Sequence, residues 1–341
     1  MNDNKLPEGF SEANYTLFDK LNHLLRGNCE PDKAMNIDTE LLERFENGLN
    51  PQRIEQSEIP AQLLGYGEIS AIFRIQGDDR AAYKRMPLFT KRDAAEKYAE
   101  LYQEYCGLLE KVGLNLPDTD TAIVHVPGRP VVVYIAQELM PADSFGHHLI
   151  RALDEPSCYQ LVEQVAGEIA KVWRYNAASV PDVELALDGQ ISNWVRQDAG
   201  EDGGLVYIDT STPFLRLGGV EQLDPEPLLK SAPAFLRWIL KWLFADDVIN
   251  RYYDHQQVLI DIAANFYKEQ RPELIPGTVE IFNQRLLEGQ HPLTTRYVEK
   301  YYRQDKMIWQ LFLAFRRIDR FLTTKLMRKR YEFILPGKIE R

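Results

Sequence analysis

Between residues 12 and 48, apolar positions recur three and four apart in NYTLFDKLNHLLRG and NIDTELLERFENGL, with Gly or Asn near the ends. That spacing predicts two helices and reads as a helical N-terminal extension over 1–57. From residue 60 the period shortens, and QLLGYGEISAIFRI and DDRAAYKRM alternate around a turn at Gly77 to Asp79, which predicts two antiparallel strands. KRDAAEKYAELYQEYCGLLEKVG holds no proline and stops at Gly113, so a long helix is expected there. TAIVHV and VVVYIAQEL, joined by PGRP, return to strand character, giving the order β, β, α, β, β for residues 58–140.

After Pro141 the pattern turns helical, beginning with YQLVEQVAGEIAKVWRYN, where Leu161, Val165, Ile169 and Val172 share a face. One β-rich patch interrupts it: VELALDGQISNWV and GLVYIDTSTPF, separated by the polar turn QDAGEDGG. Helices then resume from residue 226, punctuated by Pro272, Pro276, Pro292 and Pro336. The strongest apolar run, PAFLRWILKWLFADDVI, is broken by Arg237 and Lys241 and falls short of the ~20 apolar residues a bilayer span needs. It reads as an amphipathic or buried helix.

Composition narrows this picture. At 341 residues the chain exceeds what one small core holds, which predicts two packed parts. A formal charge of -11 opposes indiscriminate contact with nucleic acid. Cys29, Cys106 and Cys158 lie far apart with no CxxC pair, and the first residues lack a secretory pattern, so the expectation is a cytoplasmic protein without a disulfide framework. The last 27 residues carry nine Lys or Arg against three Asp or Glu, a local excess of positive charge that could meet an acidic surface. His147 and His148 have no Cys or acid cluster at ligand spacing and are expected at a helix start or surface.

Four signals carry candidate chemistry by their order along the chain. Gly65-Tyr66-Gly67 stands between two strands, where a turn can lay backbone N–H groups over phosphates. Lys84 sits mid-strand, within reach of that turn if a helix carboxylate holds it; Glu104 is the first candidate partner and Glu100 the second. Asp188 and Asn193 bracket a turn after VELAL, and Asp209 ends an apolar strand. Asn193 and Asp209 are hard oxygen ligands of the kind that hold Mg²⁺ against a nucleotide's phosphates.

In these motifs the chain resembles the protein-kinase-like superfamily, more closely its small-molecule branch of aminoglycoside and choline phosphotransferases, over about residues 58–215. The resemblance implies a two-lobed α+β fold, with an antiparallel-sheet N-lobe over 58–140 and a mainly helical C-lobe over 141–341 that carries the catalytic and metal-binding loops. It implies ATP and Mg²⁺ as cofactors, with Gly65, Tyr66, Gly67 and Ser70 around the phosphates. Lys84 paired with Glu104 would steady them, and the stretch Gln137, Glu138, Leu139 and Met140 would meet the adenine. Asp188 would be the base, and Asn193 and Asp209 the metal ligands. The activity implied is phosphoryl transfer to a hydroxyl of a small molecule, with a nucleotide-binding scaffold or a protein kinase as alternatives. The chain departs from the pattern at Ala186, where the superfamily has histidine, at Gln190, where the small-molecule branch has histidine, and in Asp209-Thr210-Ser211.

Overall fold

The computed structural model describes residues 35–67, 69–178, 182–197, 204–231, 237–238, 241 and 246–336. The first predicted helix, Cys29, most of PAFLRWILKWLFADDVI and the body of the QDAGEDGG turn lie outside these residues.

The architecture is mixed α+β. Helix α1 (Thr39–Gly48) starts where the Asp38 side chain accepts from the Leu41 amide at 2.9 Å, an N-cap that satisfies one of the helix's orphan donors. Five strands follow: β1 (Ala61–Tyr66), β2 (Ala71–Ile75), β3 (Ala81–Phe89), β4 (Thr119–His125) and β5 (Val131–Glu138). They form one antiparallel sheet in the order β1-β2-β3-β5-β4. The order β, β counts β1 and β2 as one strand, although Gly65-Tyr66-Gly67 reads as a break between two; Gly65 and Tyr66 belong to β1, and the chain reverses after them, where the Gly67 amide donates to the Ser70 carbonyl at 3.1 Å. A Cβ at Gly67 would fall 2.2 Å from the Ser70 hydroxyl, so any side chain there would require that hydroxyl to move.

Both faces of the sheet are covered. Val132, Tyr134 and Ala136 of β5 join Phe45 and Leu42 of α1 on one side, while Val133 and Ile135 join the helix α2 (Arg92–Val112) on the other. That two-residue alternation explains why β5 reads as an unbroken apolar run. Helix α2 ends at Gly113, whose φ of 93° is the left-handed cap expected there.

The rest is largely helical: α3 (Gly146–Ala152), α4 (Glu155–Ala178), α5 (Glu226–Ser231), α6 (Asp246–Tyr253), α7 (His255–Lys268), α8 (Ile275–Asn283) and α9 (Thr295–Phe321). Leu161, Val165, Ile169 and Val172 of α4 are all buried, as their spacing predicts. His147 and His148 stand in the first turn of α3.

Short strands punctuate this half. β6 (Val183–Leu185), β9 (Leu215–Leu217) and β10 (Val220–Glu221) make a three-stranded sheet, and β7 (Trp194–Arg196) pairs antiparallel with β8 (Leu205–Tyr207). The three-stranded sheet was not legible as such, because strands of two or three residues leave no period to read. No helix of the described residues is long and apolar enough to cross a membrane.

A buried charge cluster ties three distant segments together on the α1 side. Glu46 of α1 accepts from Arg85 Nε and Nη2 of β3, both at 2.7 Å, and from the Tyr134 hydroxyl at 2.5 Å, and pairs with Arg129. Arg85 also donates to the Glu332 carbonyl at 2.7 Å and its carboxylate at 3.0 Å. The segment after α9 is thereby fastened to the back of the N-terminal sheet.

Candidate functional site

The opposite face of β3 carries Lys84, because successive strand residues point to opposite sides. Its ammonium donates to Asp209 Oδ1 at 2.9 Å and to the Ser211 hydroxyl, and the Ser211 hydroxyl donates to the same Asp209 oxygen at 3.0 Å. The Asp209 side chain retains 29% of its accessibility, so a ligand can reach it. Desolvation pushes the Asp209 carboxyl up, but the Lys84 charge and the hydrogen bonds from Lys84 and Ser211 outweigh it and hold the group below its ordinary range.

The expected Lys84–Glu104 pair is not formed. Glu104 is buried on α2, its Oε1 finds no partner, and burial alone pushes its carboxyl up to about 7. Glu100 is exposed. The reason lies in helix geometry: the face of α2 turned to the site is Tyr98, Tyr102 and Tyr105, spaced four and three apart. Tyr98 donates to the Ser211 carbonyl at 2.6 Å, and Tyr105 to the Ala186 carbonyl at 2.6 Å. Tyr102 accepts from Thr210 at 3.0 Å. Glu104 precedes Tyr105 by one residue and so leaves the helix about 100° away from it.

Asp188 and Asn193 flank a turn held from several directions. Asn193 Nδ2 donates to the Asp188 carbonyl at 3.1 Å, and the Gln190 amide donates to Asp188 Oδ1 at 3.1 Å. The Ile208 amide donates to the Asn193 carbonyl at 3.0 Å, which sets Asn193 beside the segment leading to Asp209. The Tyr207 hydroxyl donates to the Asp209 carbonyl at 2.8 Å and accepts from the Asp188 amide at 3.2 Å, so one phenol joins the two acidic segments. Gly189 is pressed between α4 and α7: a Cβ there would fall 2.7 Å from Val258 and 2.9 Å from Ile169. The Asp-Gly pair is therefore a packing requirement as well as a turn.

Burial, then the charges of Asp261 and Asp209, raise the Asp188 carboxyl well above its ordinary value. Asp261 of α7 is itself raised, by burial first, and accepts from Tyr301 and Gln190. Sequence reasoning missed Asp261, although an acid inside the apolar run VLIDIAANF was the available signal. It also missed Ser211 and the three tyrosines.

The remaining candidates are placed as follows. Tyr66 is exposed, Ser70 is buried, and the Gly67 amide is spent within its own turn. Gln137 acts through its side chain, donating to the Ile208 carbonyl at 2.9 Å and to Thr210 Oγ1 at 3.2 Å. The amides of Glu138 and Leu139 donate to the Asp118 and Arg80 carbonyls. Among the described residues no three His, Cys, Asp or Glu side chains cluster to hold a metal.

The arrangement thus sets one cation, one carboxylate held ionised and one carboxylate pushed toward its neutral form in a single hydrogen-bonded neighbourhood. Residues 50–320 match a family of unknown function, DUF6206, and the chain belongs to that family. The sequence matches no curated protein.

Proposed function

We propose that the chain is an ATP- and Mg²⁺-dependent phosphotransferase acting on a hydroxyl of a small molecule. In this reading the arrangement is two-lobed and protein-kinase-like, with the five-stranded sheet as the small lobe. One observation carries it: Lys84, Asp188, Asn193 and Asp209, scattered over more than a hundred positions, are linked through Tyr207, Ser211 and the 188–193 turn. Phosphoryl transfer asks a protein mainly for positioning and charge neutralisation, which such a set supplies.

The donor set fits Mg²⁺, which binds through one or two protein oxygens and the phosphates rather than a cage of acids. Asp209 and Asn193 would hold the ion, which supplies charge neutralisation when bound. Lys84 would exchange its contacts with Asp209 and Ser211 for phosphate oxygens. Asp188 would accept the proton of the acceptor hydroxyl, which requires its ionised form; burial, and then the negative charges of Asp261 and Asp209, oppose that, and positive charge entering the site would offset the charge part. An adenine against residues 138–140 would meet carbonyls or the Met140 amide, since the Glu138 and Leu139 amides are engaged.

A nucleotide-binding scaffold without transfer is the second reading, favoured by the absence of an α2 carboxylate at Lys84. Thermal unfolding with ATP and Mg²⁺ tests both. At nucleotide a hundredfold above its dissociation constant the stabilisation is ~2.7 kcal/mol, and no shift at millimolar nucleotide would sink both readings. ATP consumption on a panel of hydroxyl compounds, lost in Asp188→Ala while the thermal shift persists, separates the enzyme from the scaffold.

A further inference from the structure

Helix α9 buries two charged residues, Arg316 and Asp319, beside the apolar Val298 and Phe312, while Met307, Leu311, Ile318 and Phe321 are 64%, 51%, 50% and 62% exposed. Together with the exposed Ala314, these positions alternate four and three apart, which places them on one stripe. The helix's rotation is fixed from within: Arg316 Nε donates to the Tyr331 hydroxyl at 3.1 Å, its guanidinium lies 4.3 Å from the centre of the Phe333 ring, and Thr323 donates to Asp319 at 3.3 Å. Turning the apolar stripe inward would break these contacts.

The stripe runs on past the helix. Leu326 and Met327, at the end of the wide turn Leu322–Leu326, are 73% and 49% exposed. Charge changes sign along the same path. The acids of α9 near its start are engaged, Glu299 with Arg303 and Asp305 with Lys268. From Lys306 to Arg330 there are eight Lys or Arg and one acid, the buried Asp319, in a chain whose net charge is -11. Lys325, Arg328, Lys329 and Arg330 are exposed around Leu326 and Met327.

We propose that the outer face of α9 and the segment through Arg330 form a docking surface for an anionic lipid membrane. Ile318, Phe321, Leu326 and Met327 enter the headgroup boundary, and the lysines and arginines around them meet lipid phosphates. Charge selects this occupant over a second copy of the chain. An antiparallel pairing of two stripes through Ala314 would set Met307 against Phe321, but the acids near the start of α9, Glu299 and Asp305, are already engaged by Arg303 and Lys268 and would leave the basic segment 325–330 with little to offset it. A bilayer surface carrying acidic lipids supplies the missing negative charge. The helix lies on such a surface, since no described helix can cross it. The proposal does not rest on phosphotransfer.

Sedimentation of the full chain with sucrose-loaded vesicles tests it. Vesicles of phosphatidylcholine with about 30% phosphatidylserine should bind at least ~10-fold more tightly than phosphatidylcholine alone, and the difference should collapse in ~0.5 M NaCl. Phe321→Ser with Leu326→Ser, and separately Lys325→Glu with Lys329→Glu, should each weaken binding by ~10-fold or more while leaving the melting temperature unchanged, because the altered side chains are exposed. Failure of the unaltered protein to bind phosphatidylserine vesicles at low salt would overturn the proposal without any variant. So would vesicle binding indifferent to both variant pairs, or a dimer in solution that Phe321→Ser converts to monomer with vesicle binding unchanged.

Discussion

Lys84 and Arg85 are neighbours on one strand, and the two charge clusters they serve differ in kind. Arg85 faces a charge-compensated set: Glu46, Glu332, Arg129 and Tyr134 are joined by ion pairs and hydrogen bonds, with Arg129 Nε reaching Glu332 only as an ion pair at 3.4 Å, and the Arg85 and Glu46 side chains are 2% and 1% exposed. Lys84 faces an open one, where Asp188 carries a raised pKa with negative neighbours and Asp209 keeps solvent access. On the same site-facing side of the sheet, Glu104 lies buried without a partner for Oε1. A buried cluster whose charges compensate one another holds a fold in one geometry, whereas groups left in tension are what a ligand can use. The two sides of β3 therefore differ as a charge-compensated cluster differs from one that is not.

The largest expected effect lies on the Arg85 side. Glu46→Gln removes the carboxylate shared by Arg85 and Arg129, and leaving buried guanidinium charge undercompensated should cost on the order of 3–5 kcal/mol in urea unfolding. Lys84→Met should cost far less in the same assay while abolishing any ATP consumption. Equal losses from the two variants would erase the distinction.

A middle effect tests the strain at Glu104. Its carboxyl titrates at about 7 in the folded chain against 4.5 unfolded, so folding takes up a proton between those values and stability falls as pH rises from ~4.5 to 7. Glu104→Gln should therefore stabilise the protein at pH 8 by ~2 kcal/mol and leave it nearly unchanged at pH 4.5. A variant with the same pH–stability profile as the parent would show that Glu104 is not held in that environment.

The smallest effect is a coupling. With Lys84 bound to Asp209 rather than to Glu104, Lys84→Met and Glu104→Gln should be additive within ~0.5 kcal/mol in the nucleotide-free chain. Strong non-additivity would restore the pairing that the sequence order suggests. The same cycle between Lys84 and Asp209 should show the larger interaction energy.

Local pattern carried much of the fold into view. The buried face of α4, the Gly113 cap and the alternation of β5 follow from helix and strand periods acting on neighbouring residues. Of the ordered signals, Lys84, Asp188, Asn193 and Asp209 are joined through hydrogen bonds, whereas the Gly67 amide is engaged within its own turn. What the pattern could not carry was partnership. Glu46 looks like an ordinary solvated acid on an amphipathic helix, and only the return of Glu332 from the far end of the chain, with Arg85 between them, makes it a buried one. Lys84 finds Asp209 rather than Glu104 because three tyrosines already occupy the helix face in between, and aromatic spacing along α2 reads as core. The exposed apolar stripe of α9 was hidden for a related reason: its apolar positions have helical spacing whichever way they face.

The charge cluster behind the sheet also bears on where this protein can be cut. The family match runs from residue 50 to residue 320, yet Glu46 and Glu332, the acids that hold Arg85 and Arg129, both lie outside it. A fragment trimmed to those limits would keep the buried Arg85 and the partly buried Arg129 and discard their carboxylates. Such a fragment should unfold at lower urea than the full chain, because the charge compensation of this cluster comes from segments nearly three hundred residues apart.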